Sequence, residues 1–228
     1  MRIIAIGDVH NDIENLIQFL EKVKSLKPDV IIFSGDFVDI GIGLKGFTWN
    51  DVSTIILEEL GFLNIPILAI PGNHDKDVIP ILEKRSVSIH GSGRVLGDVG
   101  FYGFGGAKTP FGTPFEPEEE ELEAGLRKAY EKVKNAKIKV QVTHNPPYNT
   151  KLDRITSGAH VGSKVVRKVI EELQPKAAIC AHIHEARGVD TIDRTTIVNA
   201  GRFPEGYCGL INIDVPTSSV SAKIVNLI

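Results

Sequence analysis

Five times along this chain a short, strand-like apolar run ends in a cluster of acidic, amide or imidazole side chains. Ile3–Ile6 leads to Asp8 and His10, and Val30–Phe33 leads to Asp36. Ile65–Ile70 leads to Asn73 and His74, Ile138–Thr143 to His144, and Ala177–Ile179 to Cys180-Ala181-His182-Ile183-His184. Apolar runs of this length suit strands buried on both faces. Between the first two lies a helical pattern, Ile13, Leu16, Ile17, Leu20 and Val23, opened by Asp12 as N-cap and closed before Pro28. Strand, helix, strand is a parallel crossover unit. Parallel strands gather their C-terminal loops at one edge of a sheet, where ligands bind in open α/β proteins.

The remaining elements fit around this frame. Residues 41–50, with Gly41, Gly43, Gly46 and Trp49, read as a loop, and Val52–Leu60 as a helix. A short helix is expected over Val78–Lys84. Val87–Ile89, Val95-Leu96 and Phe101–Phe104 are glycine-separated segments, expected to pair antiparallel in a second sheet. Phe111–Phe115 is a Gly/Pro loop leading to a polar helix. Pro117 is placed in its first turn, acidic residues at its positive end and Arg127, Lys128, Lys132 and Lys134 toward the negative end. Ser163 caps a helix presenting Val165, Val166, Val169, Ile170 and Leu173. Thr196–Val198, Leu210–Ile213 and Val220–Leu227 read as an antiparallel meander. No repeat or linker interrupts the pattern, so one domain over 1–228 is expected.

Composition narrows the function classes. The net charge of −3 gives no general pull toward nucleic acid or anionic membranes. No apolar run approaches the roughly 20 residues that span a bilayer. The apolar start is too short for a signal-peptide core, so a cytoplasmic protein is expected. Cys180 and Cys208 lack a C-x-x-C spacing and read as buried free thiols.

The chemistry lies in the five clusters. An aspartate after a strand usually caps the next helix, but imidazoles at the companion strand ends favour a shared ligand role. Carboxylate plus imidazole suits Mn, Fe, Zn or Ni. The donors are too many for one tetrahedral ion, which points to two ions sharing a carboxylate, about 3.5–4 Å apart.

Asp8-Val9-His10, Gly35-Asp36-Phe37-Val38-Asp39, Gly72-Asn73-His74-Asp75, His144 and His182-Ile183-His184 occur in the order found in calcineurin-like metallophosphoesterases, and the chain resembles that superfamily over most of its length. The resemblance implies an α/β fold in which two mixed β-sheets pack as a sandwich flanked by helices, a four-layer α/β/β/α arrangement. It implies one ion on Asp8, His10, Asp36 and His184, and a second on Asp36, Asn73, His144 and His182, with Asp36 as the bridge. The cofactors are then two divalent ions, Mn first, with Fe, Zn or Ni as alternatives. His74 would give a proton to the leaving oxygen, and Asp75 would orient His74 through a ring N–H. Arg202, whose turn lies near the metals in the superfamily, is the first phosphate-binding candidate. His160 and Arg154, in the loop after His144, are the others.

Two departures from the pattern matter. Ala181 replaces the usual glycine before the paired histidines, which would strain the chain if that position needs φ > 0. Ile40 and Asp75 stand where serine/threonine protein phosphatases and diadenosine tetraphosphatases carry Arg and Glu, which argues against both subgroups. The expected activity is binuclear metal-dependent hydrolysis of a small phosphomonoester or phosphodiester. The rivals are a dedicated cyclic-nucleotide or other phosphodiesterase and a non-catalytic scaffold of the same fold. The expected partner is a small phosphoester, with no specific nucleic acid and no membrane; homo-oligomer formation is left open. His90 lies outside the pattern and reads as structural.

Overall fold

The computed structural model describes residues 1–228. Its elements are β1 (Arg2–Ile6), α1 (Ile13–Ser25), β2 (Val30–Phe33), α2 (Trp49–Gly61), β3 (Ile67–Ala69) and α3 (Ile79–Lys84). A hairpin follows, β4 (Ser92–Leu96) and β5 (Val99–Phe104), then α4 (Glu119–Glu131), β6 (Ile138–Thr143), α5 (Lys164–Leu173) and β7 (Ala177–Cys180). The chain ends with β8 (Gly188–Ile192), β9 (Thr195–Asn199), β10 (Tyr207–Asp214) and β11 (Ser219–Asn226).

The strands form two mixed sheets. One has the order β11-β10-β1-β2-β3 and the other β4-β5-β6-β7-β9-β8. Because side chains alternate faces along a strand, each central strand feeds two cores. In β1, Ile4 and Ile6 pack with Leu16, Leu20, Ile56 and Leu60 under α1 and α2. Ile3 and Ala5 of the same strand face the second sheet, meeting Phe101, Val140, Val142 and Ile179. In β7, Ala178 and Cys180 turn outward to Leu122, Leu126, Val166 and Ile170 of α4 and α5. This is the α/β/β/α sandwich with five helices. Both thiols are free and buried, and no helix is long and apolar enough to cross a membrane.

Local chemistry sets the helix ends. Asp12 accepts a hydrogen bond from the Asn15 N–H, and Ser163 from the Val166 N–H. α2 starts three residues earlier than the apolar pattern suggests, because Thr48 and Asp51 form a capping box that draws Trp49 into the helix. Pro117 lies just outside α4, whose N-cap is Glu118.

The second half differs from expectation in two respects. Val87–Ile89 makes only an isolated bridge to β3, and β5 runs parallel to β6 while pairing antiparallel with β4. The C-terminal strands are no meander. β9 pairs parallel with β7, whereas β10 and β11 return to the first sheet, where β10 lies antiparallel to β1. Hydrophobic alternation identifies a strand but not its neighbour, so the crossing was invisible in the pattern.

Candidate metal centre

The site is assembled where β1, β2, β3, β6 and β7 end. Beyond β1 and β2 the ladder continues: the Asp8 N–H donates to Gly35 O, and the Val9 and His10 N–H groups both donate to Asp36 O. The chain turns sharply at these points, so Asp8, His10, Asp36 and His182 adopt φ of 52°, 48°, 56° and 72°. Left-handed backbone at non-glycine residues costs on the order of 1–3 kcal/mol each and collects at functional sites. Ala181 is outside this group, and its backbone needs no glycine. Gly72 is indispensable for another reason. A Cβ there would lie 2.0 Å from Asp36 Oδ1.

The seven residues named from the sequence converge. Ligand atoms of Asp8, His10 and His184 lie within 4.8 Å of one another, as do those of Asp36, His144 and His182. Asp36 Oδ2 joins the two groups, 3.6 Å from His10 Nε2 and 3.2 Å from His144 Nε2. Asn73 Oδ1 is 3.0 Å from His144 Nε2, and His10 Nε2 is 3.2 Å from His184 Nε2. His74 comes close as well, forming a third group with His10 and Asp36.

The electrostatics are those of carboxylates and imidazoles buried against one another. Burial favours neutral His144, but the neighbouring Asp36 carboxylate outweighs it and pushes the imidazole up to about 9. Burial would raise Asp36, yet the His144 charge drives it well below the carboxylate range. Burial, aided by the nearby His144 charge, lowers His182 to about 4. His144 Nδ1 lies 2.8 Å from Ser34 O and donates to it, which aims Nε2 into the cluster. Divalent metals fit this donor set. Both Asp8 oxygens are buried without a hydrogen-bond partner, an arrangement that costs several kcal/mol unless a cation is near.

Asp75 does not orient His74. Its carboxylate is fully buried and accepts from the Gly72, Phe37 and Val38 N–H groups, tying the β2 and β3 loops together. Burial and the adjacent Asp36 charge raise it to about 7. The carboxylate beside His74 is Asp39, with Oδ1 3.7 Å from His74 Nδ1. The β2 loop path decides this, because it turns Asp39 toward the cleft.

The three phosphate candidates lie off the cluster. His160 Nδ1 pairs with buried Asp153 at 2.7 Å, and Arg154 Nε bonds its own loop at Gly158 O. Arg202 stands 3.7 Å from Asp12. None of the three lines the cleft, whose wall comes instead from residues 109–113. Sequence reasoning missed that wall. Its signal was two threonines in a Gly/Pro loop followed by Glu116. Thr113 Oγ1 accepts from Asn73 Nδ2 and donates to Glu116, and Thr109 donates to the same oxygen. Although burial opposes the charge, these bonds hold Glu116 at about 2. His90, as expected, is structural: its ring packs on Phe104 and accepts from the Gly105 N–H.

Comparison with known proteins places this site in context. An uncharacterised protein of Methanocaldococcus jannaschii is 34% identical over 215 residues, covering 91% of this chain and 90% of its own. A protein of Thermus thermophilus shares the fold with a TM-score of 0.74 at 19% identity, covering 100% of this chain and 99% of its own. A dimetal phosphatase of Danio rerio shares it at 0.63 and 11% identity, covering 100% and 98%. The sequence profile of the calcineurin-like phosphoesterases matches residues 1–186. With more than three quarters of its length matched and both sheets in place, the chain belongs to the calcineurin-like phosphoesterase family.

Proposed function

We propose that the protein is a binuclear metal-dependent phosphoesterase acting on a small phosphomonoester or phosphodiester. The observation that carries this reading is the Asp36 carboxylate, fully buried with one oxygen reaching toward both His10 and His144. Asp8, His10, Asp36 and His184 would hold one divalent ion and Asp36, Asn73, His144 and His182 the other, Mn before Fe, Zn or Ni. Such a pair supplies activated water and offsets charge on the phosphoryl group.

The protein's own part is positioning and proton supply. The acid is the imidazolium form of His74, with a proton on each ring nitrogen: Nδ1 lies 3.7 Å from Asp39 Oδ1, and Nε2 carries the proton to be given. That proton goes to the leaving oxygen as its bond to phosphorus breaks. Asp39, beside Nδ1, stabilises the ring when it is charged and restrains its orientation.

The test is turnover of p-nitrophenyl phosphate and of its bis ester. Chelated protein is expected to be inactive, and Mn²⁺ to restore activity; the ratio of the two rates separates monoesterase from diesterase. Metal analysis of His182→Ala and His184→Ala should show each variant losing mainly one ion of two. No hydrolysis of either ester with Mn, Fe, Zn or Ni would overturn the reading, and absence of stoichiometric metal would point to a scaffold.

A further inference from the structure

A second cavity of ≈ 450 Å³ opens beside the metal cleft. The two adjoin, because Thr109, Phe111 and His182 line both. Its walls are apolar where Phe111 faces Ile155, Val161 and Ile183. Phe111 is the most exposed large hydrophobic residue of the chain at 87%, and Val161 is 42% exposed. No contact with another protein ring involves Phe111, although Phe104 and Phe115 nearby pack against each other and His90. A bare phenyl face beside a reactive centre lacks a hydrophobic reason to be exposed in the free protein. The rest of the lining, Pro110 apart, is polar. Glu185 is part of it, an exposed carboxylate whose Oε1 takes both contacts from Thr156.

We propose that this cavity is the subsite for the organic part of the substrate, and that Phe111 is its specificity-determining residue. The ligand class is a phosphoester whose alcohol carries a planar aromatic or heteroaromatic ring. The ring lies on Phe111 and against Ile155 and Val161, and an N–H or O–H on its edge donates to Glu185. A planar ring suits the cavity better than an acyl chain. The cavity also carries Glu185 and Ser157, polar groups that a ring with an edge N–H or O–H can meet and a hydrocarbon tail cannot. Sharing of Phe111 between the two spaces sets the reach: the phosphoryl group lies in the metal cleft while the ring occupies the neighbouring cavity.

The inference rests on the phosphoesterase reading for the phosphoryl position, so its test reads binding as well as turnover. Calorimetric titration of Mn²⁺-supplied protein with phenylphosphonate and methylphosphonate compares ligands that differ only in the ring. Phenylphosphonate should bind about tenfold more tightly, the scale of one stacking contact. Phe111→Ala should remove most of that advantage, whereas Phe62→Ala, an exposed phenylalanine at the end of α2, should leave it intact. Exposure of Phe111 makes misfolding of its variant no explanation for a loss. Equal affinity for the two ligands, or an equal effect of Phe111→Ala on both, would overturn the subsite. Tighter binding of octylphosphonate than of phenylphosphonate would overturn the planar ring in favour of a chain. If no ester is hydrolysed yet phenylphosphonate binding depends on Phe111, the catalytic reading fails and the subsite stands. If neither phosphonate binds while the esters are hydrolysed, the subsite falls and the catalytic reading stands.

Discussion

His144 shows how one residue couples the site to the fold. Its Nε2 sits between Asp36 Oδ2 and Asn73 Oδ1, two acceptors that a protonated nitrogen satisfies in the metal-free protein. Its folded value of about 9 lies above the ordinary 6.5. A raised imidazole stabilises the folded state fully below the lower value, and that contribution fades as pH rises through the upper one. The chelated protein should therefore lose stability between pH 6.5 and 9, on the order of 3 kcal/mol, with a melting temperature lower by several degrees. Metal-loaded protein should lack that slope, since the Nε2 proton is displaced. Melting curves with and without chelator across this range check the sign; a rise in stability would exclude a protonated His144. At this scale the side chains of the cluster were legible, because donor chemistry belongs to the side chain. The roles of Asp39 and Asp75 were not. Both follow strand ends, and only the loop paths decide which carboxylate meets His74 and which is consumed by backbone N–H groups.

Among the elements, α4 contains a glycine whose purpose lies outside the helix. A Cβ on Gly125 would lie 2.0 Å from Phe104 Cδ2 and 2.1 Å from Cε2. Helix propensity favours alanine by about 1 kcal/mol, but forcing the Phe104 ring aside in a filled core costs about 1–3 kcal/mol. Gly125→Ala should therefore destabilise the protein. Gly61, at the end of α2, has nothing within 4 Å of such a Cβ, so Gly61→Ala should stabilise by about 0.5–1 kcal/mol. Denaturant midpoints of the two variants should move in opposite directions; a rise in both would mean that propensity, not packing, sets them. Helices α1 and α5 were readable from Asp12 and Ser163 with the apolar stripe behind them. The early start of α2 was hidden in a capping box within a glycine-rich stretch. The wall over residues 109–113 was hidden in the same way, because its order comes from Glu116 binding two threonines rather than from any periodic pattern.

Over the whole molecule, the two sheets are stitched together by a chain that leaves the first, builds the second and returns. β10 completes the first sheet beside β1, and Ile211 and Ile213 join the core between the sheets. Removing residues 207–228 would bare the edge of β1 and strip apolar contacts from two cores. Such a truncation should aggregate or fail to melt cooperatively, although every proposed metal ligand remains; a soluble, cooperatively melting 1–206 fragment would refute this. The sequence alone determined the strand ends, the α/β/β/α class through resemblance, and which carboxylate, amide and imidazole side chains gather at one sheet edge. Each of these is written in short stretches where an apolar run meets a polar cluster. Tertiary structure alone decided that β10 and β11 belong to the first sheet, that Asp39 rather than Asp75 flanks His74, and that Phe111 stands over a cavity beside the His/Asp cluster. Those facts depend on pairings and loop paths between residues far apart in the chain. Alternation reveals that a strand has faces to bury, but long-range packing chooses what covers them.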